Sequence, residues 1–287
     1  NWANIPDTEN ARIGYAHHGI AVTQSGHVIA YHQDEPRILI FDREGKLVDS
    51  WETDLTEGHG ITTVAEGDVE YVWIADNGGK ARKQGGYQRP MAPVPEGVLG
   101  GVVKMTLDGR IIMRLERPPL SVYRNGGYSP SSVAVYEERY GGNGDVWVAD
   151  GYGRYYVHRY DSRGHYIGSI NGAEGDAGEF DLPHDICIDT RKSEPELYIG
   201  DERNRRIQVY DLDGKFKRAF GSEYLTKPCG LGINGDFLMV AELGAKDLRA
   251  RLWLLDISDN EISLLGDNSR VDDSDAWPNM RNEEGDL

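Results

Sequence analysis

The chain has 287 residues but only two cysteines, too few for a disulfide framework. Lys and Arg number 31 against 48 Asp and Glu, a formal charge of −17. An acidic surface releases no counterions from phosphate, so no nucleic-acid partner is expected. No apolar run approaches the roughly 18 residues of a membrane span, so no membrane partner is expected either. No stretch longer than a turn carries a helical apolar period, which argues against a helical fold. Position 1 is asparagine, and localisation stays open.

What is present is glycine, 36 residues of it, and repetition. Five segments share one plan: "HGIAVTQSGHVIAYH", "HGITTVAEGDVEYVWIAD", "SSVAVYEERYGGNGDVWVAD", "HDICIDTRKSEPELYIGD" and "CGLGINGDFLMVAE". Each opens with a short apolar strand, turns through glycine or acidic residues, and climbs a second strand. That strand stops at His32, Asp76, Asp150, Asp201 or Glu242. A second strand pair follows each stop, and four of these pairs turn at Gly45, Gly109, Gly164 and Gly214, as tight hairpins require.

Four short strands per repeating unit predict an all-β propeller, read as one domain over 1–287. The blades fall at about 14–52, 57–117, 128–171, 181–221 and 226–266, and 267–287 is an acidic tail or the start of an incomplete sixth blade. A sandwich of ten hairpins would leave the shared order of turn and stop unexplained. A recurring acidic stop is the mark of a turn cap.

In a propeller the first strand of each blade lines the central channel, so residues at equal offset form a ring. That ring reads His18, His59, Ser131, His184 and Cys229, a composition suited to a metal because neutral imidazole is the commonest zinc ligand. A lone histidine at a strand start is more often a hydrogen-bonded structural residue than a ligand, which weighs most on His18 and less on His59 and His184, and Cys229 reads more readily as a small buried hydrophobe than as a fourth ligand. Cys187 faces away from the His184 side, so no Cys187–Cys229 disulfide is expected.

The units look like NHL repeats. The strings "DGYGRYYV", "LPHDICID" and "DERNRRIQVYD" resemble bacterial relatives of peptidyl-α-hydroxyglycine α-amidating lyase, a six-bladed NHL-type propeller. The resemblance runs from about Gly14 to Gly266. It implies six blades where five are readable: either the chain stops short of its last blade, which is the favoured reading, or the tail and residues 1–14 improvise the closure, or the ring is five-bladed. It implies that His59 and His184 are two of three zinc ligands, with His18 or a residue of the sixth blade as the third. It implies Tyr152 as general base, since a phenol beside a dication has its pKa lowered; the alternative is an ordinary turn aromatic. It also implies a calcium on the carbonyls of Ile20 and Ile61, completed by an aspartate that Asp185 does not match.

The sequence departs from that family at the two arginines that hold the substrate carboxylate: the matching positions are Gln33 and Glu202. Arg203 lies one place on and would have to serve instead. The segment 77–100 is a long, locally basic insertion carrying Lys80, Arg82, Lys83 and Arg89, which could draw in an anion. The expected function is a metal-dependent lyase, monomeric, acting on a small-molecule or peptide-derived substrate. The alternative is a non-catalytic NHL propeller that binds a protein or ligand on one face.

Overall fold

The structure is a computed structural model that describes residues 2–3, 19–32, 37–78, 100–243 and 250–266. Within these the chain is all-β, with five four-stranded antiparallel sheets, each a meander in chain order. The first sheet holds β1–β4 (Ile20–Val22, Val28–His32, Arg37–Phe41, Leu47–Glu52) and the second β5–β8 (Gly58–Glu66, Val69–Asp76, Gly101–Thr106, Ile111–Leu115). The third holds β9–β12 (Ser132–Val135, Val146–Ala149, Val157–Tyr160, Tyr166–Ile170). The fourth holds β13–β16 (Pro183–Asp189, Glu196–Asp201, Arg206–Asp211, Phe216–Phe220) and the fifth β17–β20 (Pro228–Asn234, Phe237–Glu242, Arg251–Leu255, Glu261–Leu265). These are the five expected blades, and the fold class is a β-propeller. The stretch read as a sixth blade, 267–287, lies outside the described residues. Among the described residues, no helix is long and apolar enough to cross a membrane.

The described chain divides into two compact units, the first essentially sheets one to three and the second sheets four and five. Each unit builds its core between the faces of successive sheets, because alternate residues of a strand point to opposite faces. In β6, Val72 and Ile74 pack toward Ile29, Tyr31 and Ile38 of sheet one, while Trp73 and Ala75 pack toward Val133, Val146 and Val148 of sheet three. In the second unit Tyr198, Ile207 and Val209 meet Leu238, Val240 and Trp253 in the same way. Middle strands buried on both sides explain their runs of Val, Ile, Tyr and Trp.

The turns are chemical repeats too. Gly45, Gly109, Gly164 and Gly214 all adopt positive φ, where glycine carries no Cβ penalty. In three of these hairpins an aspartate (Asp42, Asp161, Asp211) accepts from the backbone N–H two and four residues on. The fifth hairpin lacks the glycine because Asp259 takes the left-handed position (φ 66°), with Asp256 as the acceptor.

The acidic stops tie each blade's entry to the end of its second strand. Asp76 accepts from the backbone of Thr56, Glu57 and Gly78 (2.8–2.9 Å). Asp150 accepts from Ser129 and Arg154, and Asp201 from Asp181. Glu242 accepts from Thr226 and Lys227. Inner strands approach closely as well: a Cβ on Gly60 would lie 2.6 Å from the Ser131 carbonyl oxygen. Gly60→Ala is expected to lower stability by about 1–3 kcal/mol through this backbone clash; an unchanged urea midpoint would show that the strands can part freely.

Candidate functional site

The strand starts singled out by the sequence share a local irregularity. Pairing of the first with the second strand slips between Gly58 and Ile61, between Pro183 and Asp185, and between Pro228 and Gly230. His59, His184 and Cys229 therefore sit in β-bulges, which re-aim a side chain out of the regular alternation. His18 lies outside the described residues, as do Gln33 and the four cations of the basic insertion.

His59, in the first unit, is 5% exposed, and its Nδ1 lies 2.7 Å from the carbonyl oxygen of Ser131. His184, in the second, is 6% exposed, with Nδ1 2.6 Å from the carbonyl oxygen of Cys229. A carbonyl can only accept, so both Nδ1 atoms carry the proton, and in the neutral ring Nε2 presents its lone pair. The same device occurs twice: each imidazole is oriented by the ring-position backbone of the next blade.

On the Nε2 side of His59 stands Tyr152, its hydroxyl at 3.3 Å and its ring edge-on with centroids 5.3 Å apart. The turn that carries Tyr152 hangs from Asp150, which bonds the Arg154 N–H, while the Tyr152 N–H donates to the Ser129 carbonyl. Gly153 is required there because a Cβ would run into the Asp150 carboxylate. On the Nε2 side of His184 stands Glu202, 6% exposed, its Oε2 3.8 Å away.

Arg203 is committed elsewhere. Its guanidinium donates to Tyr155 Oη (2.9 Å), pairs with Asp181 (3.3 Å) and lies over the Tyr155 ring. Asp185 accepts from the Leu231 N–H at 2.7 Å and so joins β13 to β17. Both cysteines are free thiols. Burial, reinforced by the charges of Glu202 and Asp185, pushes the Cys229 thiol up to about 12, and its Sγ–H donates to the Ala241 carbonyl.

Among the described residues, no group of three or more His, Cys, Asp or Glu side chains gathers closely enough to hold a metal ion. The donor chemistry of each histidine nonetheless fits one, since a ligating imidazole typically has its other nitrogen hydrogen-bonded to a carbonyl or carboxylate.

Two features escaped the sequence reading. One is the proximity of Glu202 to His184, signalled by its place directly after the stop of the blade that carries that histidine. The other is a buried chain in the first unit. The Tyr123 hydroxyl donates to Asp150 Oδ2 (2.6 Å) and lies 2.8 Å from His158 Nε2, with Asp150 and His158 both fully buried. Its signal is a histidine on a strand position that alternation turns inward.

This pair has a pH consequence. Burial lowers His158 from 6.5 to about 3. Burial also raises Asp150 from 3.8 to about 7, against the bonds from Tyr123, Ser129 and Arg154 that hold it down. The His158 contribution to stability is present above its unfolded value and lost as pH falls toward 3. The Asp150 contribution is present below 3.8 and lost as pH rises toward 7. Between these limits the native pair holds one proton on Asp150 and the unfolded pair one on His158, so the slopes cancel. In Asp150→Asn only His158 remains, and stability relative to wild type is expected to fall by about 1.4 kcal/mol per pH unit on acidification from pH 6 to 4.5. His158→Gln is expected to slope the other way. Urea titrations at both pH values check this; parallel curves for all three proteins would refute the one-proton pair.

No family model matches the chain. Among curated proteins, human NHL repeat-containing protein 3 is 25% identical over 221 residues, covering 74% of this chain and 57% of its own length. A probable peptidyl-α-hydroxyglycine α-amidating lyase of Caenorhabditis elegans is 23% identical over 218 residues, covering 67% and 54%. The chain thus spans just over half the length of these curated relatives. Among solved structures, a streptogramin B lyase aligns over 86% of this chain and 67% of its own with a TM-score of 0.54 at 15% identity. A Bacteroides caccae protein of unknown function aligns over 86% and 80%, with 0.57 at 9%. At such identities these structures speak for the fold alone. Taken with the five four-stranded blades, the sequence matches make this chain a β-propeller distantly homologous to NHL-repeat proteins and to peptidyl-α-hydroxyglycine α-amidating lyase.

Proposed function

We propose that the chain is a metal-dependent lyase that cleaves a carbinolamide-like carbon–nitrogen bond, with His59 and His184 as metal-ligating imidazoles and Tyr152 as the base. The observation that carries this reading is the Tyr152 hydroxyl, 3.3 Å from Nε2 of a buried histidine whose Nδ1 is pinned to a backbone carbonyl. The nematode relative's name supplies the reaction class. Zinc suits neutral imidazole donors, and His18 is the candidate for the third. Calcium, an oxygen-seeking ion, would fall to the carbonyls of Ile20 and Ile61. A bound divalent cation would polarise the substrate hydroxyl as a Lewis acid.

The chain's own residues account for the proton. Tyr152, as phenolate, takes the hydroxyl proton while the carbon–oxygen double bond forms and the carbon–nitrogen bond breaks. It then returns the proton to the departing nitrogen, so that a carbinolamide yields an amide and a carbonyl compound. Arg203 is the candidate to orient the substrate at the rim, which requires it to exchange its bonds to Tyr155 and Asp181. The protein acts as a monomer on a small-molecule or peptide-derived substrate. The rival reading, a non-catalytic NHL propeller that binds a partner or ligand on one face, draws on the same commitment of Arg203 and on the human relative.

The deciding measurement is metal content by inductively coupled plasma mass spectrometry after zinc loading, on wild type and on His59→Ala/His184→Ala, paired with glyoxylate release from an α-hydroxyglycine peptide. Near-stoichiometric zinc in the wild type, lost in the double variant, is expected. A wild type that takes up no transition metal would overturn the lyase reading.

A further inference from the structure

One carboxamide of the first unit is buried without a partner. Asn77, the residue that follows the acidic stop of β6, is 1% exposed. Among the described residues, neither its Oδ1 nor its Nδ2 finds a hydrogen-bond partner. Buried amides are nearly always satisfied, so an orphaned one calls for an explanation. Its two unmet demands are opposite in kind, since Oδ1 accepts and Nδ2 donates.

The backbone around Asn77 is fully engaged, so the side chain is not needed to hold the turn. Its N–H donates to the Glu57 carbonyl (2.9 Å), and its carbonyl accepts from Ser129 Oγ (2.8 Å). The Ser129 carbonyl in turn accepts from the Tyr152 N–H (3.2 Å), so one residue ties Asn77 to the turn that carries Tyr152. Repetition places the side chain. In the fourth blade the residue after the stop, Glu202, donates its N–H to the Leu182 carbonyl, and its carboxylate lies 3.8 Å from His184 Nε2. In the second blade Asn77 and His59 hold those two offsets, with the same backbone bond and a bulge at the histidine in both.

We infer that Asn77 is a substrate-binding residue that recognises a carboxamide, the acyl-amide half of the molecule on which the site acts. The inference rests on the reading of the His59–Tyr152 site as a carbinolamide lyase and names the part of the substrate that this site selects. The scissile nitrogen of a carbinolamide belongs to an amide, so an amide held at Asn77 keeps the carbinol carbon beside it, within reach of Tyr152. In the primary amide that leaves as product, one N–H and the oxygen lie on the same side and match Oδ1 and Nδ2 together. In the substrate the secondary amide is trans, and one of the two bonds forms. Burial favours the pairing, because no solvent competes for the Asn77 amide.

The test is isothermal titration calorimetry of the full chain with an acetylated dipeptide ending in a primary carboxamide, beside the same dipeptide as its methyl ester. The wild type is expected to bind the amide at least about tenfold more tightly than the ester, which lacks the N–H. Asn77→Leu, which keeps the volume and removes both polar atoms, is expected to weaken amide binding at least about tenfold and to erase the preference over the ester. Because it also removes an unsatisfied buried amide, Asn77→Leu is expected to raise the urea midpoint; a lowered midpoint would assign Asn77 to the fold and overturn the inference. Equal affinity for amide and ester in the wild type, or no binding of the amide at millimolar concentration, overturns it without recourse to any variant. Glyoxylate release from an α-hydroxyglycine peptide separates the two readings. Amide binding that depends on Asn77, without turnover, overturns the lyase and leaves the amide site standing. Turnover with an unaltered KM in Asn77→Leu overturns the amide site and leaves the lyase.

Discussion

Asp201→Ala is expected to destabilise the chain by about 3–5 kcal/mol, the cost of stripping a buried charge network of one partner. Asp201 is fully buried. Its carboxylate accepts from the Asp181 N–H (2.8 Å), Asn204 Nδ2 (2.9 Å), Arg206 Nε (2.8 Å) and Gln208 Nε2 (3.1 Å). Alanine would leave the mostly buried Arg206 guanidinium facing an empty acceptor site. Arg206 would keep its bonds to the Ala177, Gly178 and Glu179 carbonyls, but these carry no charge to offset its own. The entry of the fourth blade would also lose its tie to β14 at Asp181, three residues before His184. Urea unfolding of the variant measures the effect, and a loss under about 1 kcal/mol would show that the stop is dispensable.

The second large effect concerns chemistry. If Tyr152 is the base, Tyr152→Phe removes the one oxygen that can hold the substrate proton while keeping the ring that packs edge-on to His59. Lyase turnover is expected to fall by about 10²–10⁴-fold, the usual span for losing a positioned acid–base group. Zinc content and thermal midpoint are expected to stay at wild-type values, because the 3.3 Å hydroxyl contact to His59 is long and half-exposed while the Ser131 carbonyl continues to orient the imidazole. Turnover within a few-fold of wild type would remove Tyr152 from the mechanism, and loss of zinc in Tyr152→Phe would recast it as a residue that positions His59.

The sequence was most legible where the physics is local. A two-residue alternation, a left-handed glycine and an aspartate that caps its own turn all act within a few positions, so four of the five outer hairpins could be placed from their glycines. The fifth, at Asp256–Asn260, was harder because Asp259 substitutes for glycine there. The acidic stops could be read as caps from their recurrence, and Asp76, Asp150, Asp201 and Glu242 all bond the entering backbone. The histidines were legible as positions but not as chemistry.

From the sequence alone came the five blades, their order, the hairpin glycines, and the identity of the residues at each strand start. Only the tertiary structure decided that the Nδ1 atoms of His59 and His184 bond backbone carbonyls of the next blade, that Glu202 lies beside His184, and that Arg203 is tied to Tyr155. It alone linked His158 through Tyr123 to Asp150. The reason is distance along the chain: His59 is oriented by a carbonyl 72 residues away and His184 by one 45 residues away. Such contacts depend on where neighbouring blades lie and on a one-residue bulge that no local pattern announces, because a slip of a single residue redirects a strand's side chains.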